Sequence, residues 1–172
     1  MNRVHAIVFL AILSAGLAQT TRADEIDARI AVVAGVGPQG TGSQEAQRAC
    51  RELAARGPEI LPQLLDAMDT RNIVAANWLR TVYDRVVDDA LGNPSPRLPL
   101  DVLRDYVRDS RRQGRVRRHV LATLDRIEPE FGRQFVASCL EDPEFRGDAV
   151  AAALAEGDSA KESNDPAAAI AA

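Results

Sequence analysis

Aromatic residues are scarce in this chain of 172 residues, which has one Trp, two Tyr and four Phe. Alanine is abundant instead, and small side chains suit closely packed helices better than a β-sandwich rich in Val, Ile and Tyr. The composition therefore predicts an all-α protein. The length is enough for one domain with a hydrophobic core and too short to expect two.

Histidine and cysteine are also rare, with two of each. His5 lies in the N-terminal segment, which leaves His119, flanked by Arg117, Arg118 and Val120. A Ser-His-Asp triad or a two-histidine metal site needs partner residues that the sequence does not offer. We therefore expect no catalytic residue, no metal site and no cofactor.

A glycine-rich stretch, Gly37-Pro-Gln-Gly-Thr-Gly42-Ser43, has some likeness to a phosphate-binding loop. It lacks the lysine of that motif, and the element before it is predicted to be helical rather than a strand. We interpret the stretch as a connector between two helices.

The N-terminal segment has the features of an export signal. Arg3 and His5 precede an apolar run of about a dozen residues, whereas a membrane-spanning helix needs roughly 20. Cleavage after Ala23 is expected, with Ala18 as the alternative, and no cysteine follows the run to serve as a lipoprotein anchor. The mature chain is then periplasmic or secreted and has no integral membrane segment.

Charge argues against two classes of partner. The formal charge is −4, and it becomes −6 when Arg3 and Arg22 leave with the signal peptide. An acidic protein is not a general binder of nucleic acid or of membrane surfaces.

The strongest pattern is a set of helical pairs with a shared offset. Apolar residues between Pro58 and Ala90 follow the spacing of one buried helical face in two successive helices. The same pattern recurs 42 positions later and again after a further 29, in both helices of each pair. The inward positions are Ile60, Leu64, Leu65, Val74, Trp78, Leu79 and Val82, then Val102, Tyr106, Val107, Val116, Val120, Leu121 and Leu124, then Phe131, Phe135, Val136, Phe145, Ala149, Val150 and Ala153.

Four pairs are predicted in this way, over residues 24–56, 58–91, 100–127 and 129–156. Pairs of this size that cannot bury their own apolar faces are typical of a stacked α-solenoid. The stretch Ala46-x-x-Ala-Cys-x-x-Leu-Ala-x-x-Gly57-Pro-x-Ile-Leu-Pro-x-Leu-Leu65 resembles HEAT-type repeats. The resemblance covers most of residues 43–156 and implies a short HEAT-like solenoid with a scaffold or binding surface.

The domain organisation follows from these patterns. We predict a signal peptide over residues 1–23, a HEAT-like repeat domain over 24–156 and a polar, alanine-rich, disordered tail over 157–172. The tail's Asp-Pro-Ala-x-Ala-Ile is also similar to the opening of a tetratricopeptide-repeat helix, in which case the chain is a shortened form of a longer repeat protein.

The densest charge run lies in the third pair and suggests a site. One hypothesis is an anion-facing patch for an acidic partner, a polysaccharide or a phosphate group. The other is a solvated turn whose arginines pair with Asp101, Asp105 and Asp109. The residues concerned are Arg104, Arg108, Arg111, Arg112, Arg115 and Arg118.

The two thiols, Cys50 and Cys139, are predicted to be buried and free. The repeat register separates them by three helix-packing steps of about 9 Å, whereas a disulfide needs Cα atoms within about 7 Å. Trp78 is assigned to the core, and Tyr83 fits either the core or a recognition surface.

These observations predict a protein-interaction or scaffold module without enzymatic activity, whose partner is another protein. The alternative is an accessory protein like some HEAT-like lyases, which modify a partner and would need an exposed, reactive Cys or His.

Overall fold

The computed structural model describes residues 23–95 and 97–162. Within these residues every regular element is a helix and no strand occurs, which confirms the all-α prediction. The chain divides into two compact units, one ending at Pro99 and the other beginning at Leu100.

The described part of the first unit, from residue 23 onwards, contains four helices. They are α1 over 23–34, α2 over Ser43–Ala54, α3 over Leu61–Met68 and α4 over Ile73–Leu91. A 3-10 turn, Pro58–Ile60, leads into α3 directly after Gly57, whose φ of 81° is left-handed. Glycine adopts this conformation without a steric penalty, so the Gly-Pro pair accounts for the end of α2 and the start of the next element.

A helix cap and two ion pairs fix the ends and the packing of these helices. The Asn72 side-chain carbonyl accepts hydrogen bonds from the backbone N–H groups of Val74 and Ala75, at 3.1 and 3.3 Å, which caps α4. Glu25 on α1 accepts a hydrogen bond at 2.7 Å from Arg56, and Arg29 pairs with Glu52. These two ion pairs join α1 to α2 and to the turn that follows it.

The core of the first unit forms around α4, which packs against α2 and α3. Burial of each Leu- or Val-sized side chain is worth about 1.5–3 kcal/mol. The larger buried side chains are Ile26, Ile30, Val33, Leu53, Ile60, Leu61, Leu64, Leu65, Met68, Leu79, Val82, Tyr83, Val86 and Val87.

Up to residue 162, where the description ends, the second unit also contains four helices, each packed against the next along the chain. They are α5 over Leu100–Arg108, α6 over Gly114–Ile127, α7 over Pro129–Ala137 and α8 over Arg146–Glu162. The buried apolar side chains are Leu103, Tyr106, Val107, Val116, Val120, Leu121, Leu124, Phe135, Cys139, Phe145 and Ala149. Phe135 and Phe145 meet edge to face, with ring centroids 5.3 Å apart.

Most predicted inward positions are buried, but seven are not. Val74, Val102 and Val150 are 46%, 38% and 44% exposed, and the half-buried positions are Trp78, Phe131, Val136 and Ala153. At two of the exposed positions the next residue along the helix is buried instead: Ala75 follows Val74, and Leu103 follows Val102. A step of one residue turns a helix by about 100°, so the faces predicted from spacing were displaced by part of a turn.

The last helix extends further than predicted. The repeat domain was expected to end at 156, yet α8 continues through Gly157 to Glu162. A single helical glycine costs about 0.5–1 kcal/mol, which Ala160 and the Lys161–Asp158 pair on the same helix help to offset. The rest of the predicted tail, 163–172, and the predicted signal peptide up to residue 22 lie outside the described residues.

Candidate functional site

Most arginines in the predicted patch contact carboxylates of their own unit. Arg104 on α5 donates to Asp101 at 2.6 Å and, from Nε, to Glu128 at 2.9 Å. Hydrogen bonding between Arg104 and Glu128 raises the pKa of the arginine and lowers that of the glutamate. The first arginine of the run is therefore held between two helices.

The next arginines use carboxylates close in sequence. Arg111 donates to both oxygens of Asp109, at 2.8 and 3.0 Å, and these bonds lower the pKa of Asp109 to about 2. Arg112 lies 3.5 Å from the same carboxylate, and Arg108 lies 3.7 Å from Asp105.

Aromatic rings also hold parts of this run. The Arg108 guanidinium lies 5.0 Å from the centroid of the Phe131 ring, and Arg112 lies 5.0 Å from that of Tyr106. Such contacts favour a cation over the ring face. They restrict the two side chains further and leave less of each cation for an external anion.

Arg118 on α6 reaches the start of α8. It donates to Glu144, contacts Asp148 at 2.9 Å and lies over the Phe145 ring at 5.1 Å. Arg115 is exposed on the same helix. An anionic partner would have to displace intramolecular carboxylates from most of the predicted patch. The pairs with Asp101, Asp105 and Asp109 are those expected if the run is a solvated turn.

Arg117, which precedes Arg118 in the same charge run of the sequence, is 1% exposed. Its guanidinium bonds both oxygens of Asp142, at 3.0 and 2.6 Å, and the Val107 carbonyl at 2.8 Å. The spacing to Leu121 and Leu124 could have revealed it, because residues four and seven positions apart share a helical face. Arg117 is a structural residue and not part of an exposed patch.

The nucleophile candidates are poorly activated. Burial raises the pKa of both the Cys50 and the Cys139 thiol, and a protonated thiol is a weak nucleophile. Both cysteines are free, but Cys50 is half-buried, contrary to the expectation that both are buried. His119 is half-buried on α6, and the described residues contain no group of three His, Cys, Asp or Glu that could hold a metal ion.

The glycine-rich connector closes on itself. The N–H of Gly37 donates to the carbonyl of Thr41 at 3.0 Å, and residues Pro38–Gly40 form a 3-10 turn. The connector joins α1 to α2, as the sequence indicated.

An open groove lies between α2 and α4 in the first unit. It encloses about 520 Å³ and is mostly apolar, with Cys50, Ala54 and Val82 among its lining residues. Arg51 and Arg85 lie at its edges. A second hollow of about 430 Å³ shares Ala54, Ala55 and Asp89 with it and continues to Arg97. We call these two hollows together the α2–α4 groove.

No pattern in the sequence predicts this groove. The sequence feature that could have indicated it is the pair Ala54 and Ala55, at and just after the end of α2, because small side chains leave space beside a neighbouring helix. The groove nevertheless depends on the distance between α2 and α4, which the sequence does not give.

Comparison of the chain with protein-family profiles, with curated proteins and with solved structures gives no match. Among residues 23–95 and 97–162, no helix is both long and apolar enough to span a bilayer.

Proposed function

We propose that this chain is an exported, HEAT-like helical-repeat protein that binds another protein and serves as an interaction or scaffold module, without catalysing a reaction. The observation that carries the proposal is the burial of equivalent positions in successive helical pairs. Leu64, Tyr106 and Phe135 occupy equivalent places in the repeat register, at successive offsets of 42 and 29 residues, and all three are buried. Stacked helical pairs form extended surfaces that typically bind partners.

The α2–α4 groove supports a binding role. It is open and mostly apolar, and it is edged by arginines. Concave surfaces of this composition commonly accommodate ligands or partner segments, and arginine is enriched at binding hot spots.

The proposed export is tested by the N-terminus of the protein made in its own cells. We expect the chain in the envelope or extracellular fraction to begin at Asp24, or at Gln19 if cleavage follows Ala18. A chain that retains Met1 and stays in the cytosol would contradict the proposed export.

The proposed interaction is tested by cross-linking in intact cells. A C-terminally tagged chain is treated with formaldehyde, purified from the envelope fraction and analysed by mass spectrometry. The control is the same tagged chain without residues 2–23, which remains in the cytosol if the signal is real. A discrete partner enriched with the exported chain alone is expected, and recovery of the same proteins with both chains would contradict the proposal.

The lyase-like alternative depends on Cys50. This thiol lines the groove and is therefore more accessible than the buried thiol predicted from the sequence. Its raised pKa disfavours nucleophilic attack. A Cys50→Ser variant should retain the cross-linked partner unchanged in mass. Loss of a covalent modification on the partner would favour the lyase-like role.

A further inference from the structure

The α2–α4 groove has an excess of positive charge on a protein of formal charge −4. Arg51 and Arg85 line one part of the groove and Arg97 lines the other. Asp89 is the single carboxylate among the described residues that line it, and it accepts a hydrogen bond from Arg85 at 2.7 Å.

Among the described residues, two of these arginines have no carboxylate partner, whereas most arginines of the patch in the second unit do. Neither Arg51 nor Arg97 forms an ion pair within residues 23–95 and 97–162. The Arg85 pair is more than half exposed on both sides, and such surface pairs hold their partners weakly. The groove therefore offers up to three guanidinium groups to an incoming anion.

The lining between these arginines is mostly apolar. Val82, Val86 and Ala90 on α4 are buried beneath it, and Cys50 and Ala54 on α2 are half-buried. A small hydrated anion gains nothing from such a surface. A peptide segment with small apolar side chains between its carboxylates can contact both the apolar lining and the arginines.

We propose that the α2–α4 groove binds an acidic peptide segment of a partner protein, with carboxylates facing Arg51 and Arg97 and small apolar residues between them. This inference rests on the proposed interaction function and specifies the partner chemistry. Along the groove, α4 extends about 14 Å from Thr81 to Ala90 at 1.5 Å per residue. An extended peptide covers that length with about four residues at roughly 3.3 Å each.

The test uses the full chain and a phage-displayed library of random octapeptides. We expect selected peptides to contain two acidic positions separated by small apolar residues. Against a selected peptide, the double variant R51A/R97A should lose at least about tenfold in affinity, the effect of removing charged hydrogen bonds. The matched control is R71A/R80A, because Arg71 and Arg80 are exposed and do not line the groove; this control should bind within twofold of the unmodified protein.

Cys50 reports directly on occupancy of the groove. A saturating selected peptide should slow maleimide modification of Cys50 at least about tenfold, as expected when a bound segment excludes solvent from a contact. Modification of Cys139, in the other unit, should keep its rate. Circular dichroism of R51A/R97A should match that of the unmodified chain.

Several results would overturn the inference. These are selected peptides without acidic enrichment, equal binding by R51A/R97A and the unmodified protein, and a bound peptide that leaves the rate at Cys50 unchanged. Displacement of the peptide by a random single-stranded DNA pool at equal concentration would assign the groove to nucleic acid instead. If R51A/R97A retains the partner cross-linked in cells, the interaction function stands and this inference alone fails.

Discussion

Arg117 on α6 and Asp142, in the turn before α8, form a buried ion pair joined by two hydrogen bonds of 3.0 and 2.6 Å. The two side chains are 1% and 12% exposed. Arg117 also donates to the Val107 carbonyl of α5 and lies over the Phe145 ring, 4.9 Å from its centroid. Asp142 accepts hydrogen bonds from the backbone N–H groups of Glu144 and Phe145. This one pair therefore links α5, α6 and the start of α8.

Removing Arg117 should destabilise the second unit strongly. We expect Arg117→Met to lower the free energy of unfolding by about 3–5 kcal/mol, because Asp142 is left buried without its partner. The measurement is a urea titration followed by circular dichroism. Arg111→Met is the control, since Arg111 is 88% exposed and its loss should barely move the midpoint. Equal midpoints for the two variants would show that the pair does not hold the unit together.

Asp142 should also make stability sensitive to acid. The hydrogen bond from Arg117 is the largest cause of its lowered pKa, and burial partly opposes it. The unfolded chain then binds more protons than the folded one, so the stabilisation is present above the unfolded pKa of about 3.9 and is lost as pH falls through the folded pKa. Unfolding midpoints measured from pH 6 downwards should fall more steeply for the unmodified protein than for Asp142→Asn. Parallel curves would exclude this linkage.

The two thiols should differ in reactivity. In the folded protein we expect a maleimide to modify Cys50 before Cys139, because Cys50 lies at an open groove and Cys139 is 5% exposed. In denaturant without reductant both should react, and the mass should rise by two labels. A protein that takes no label until a reductant is added would contain a disulfide, against the free thiols described.

Charge reversal can decide between the two hypotheses for the arginine patch. The triple variant R112E/R115E/R118E should keep the cross-linked partner, because Arg112 and Arg118 already contact carboxylates of their own unit. It should unfold at lower urea concentration, since Arg118 no longer attracts Glu144 and Asp148. If partner retention disappears while circular dichroism stays unchanged, the anion-facing patch is the correct hypothesis.

Helix positions were predictable from the sequence because they depend on local signals. Gly57-Pro58 ends one helix and begins the next element, and the apolar spacing around Leu65 and Val107 marks buried faces. The precise rotation of each face was harder to predict. Val74 and Val102 are exposed because tertiary packing, and not hydrophobicity alone, selects the buried stripe.

The candidate site was harder to predict from the sequence than the helices were. Arg117 looked like one cation among many, and only its partner Asp142, 25 positions later, shows why it is buried. The α2–α4 groove is lined by residues such as Ala54 and Val82, which individually do not indicate a binding site. Features that arise between helices require the distances between those helices.

Photo-cross-linking from within the α2–α4 groove tests the proposed function most directly. A photoreactive benzoylphenylalanine replaces Thr81, which lines the groove. The comparison position is Ile73 on the same helix, which is 64% exposed and does not line the groove. On irradiation of intact cells, we expect Thr81 to give a discrete adduct with a second protein and Ile73 to give none. No adduct from Thr81, or the same adduct from both positions, would contradict a partner-binding groove.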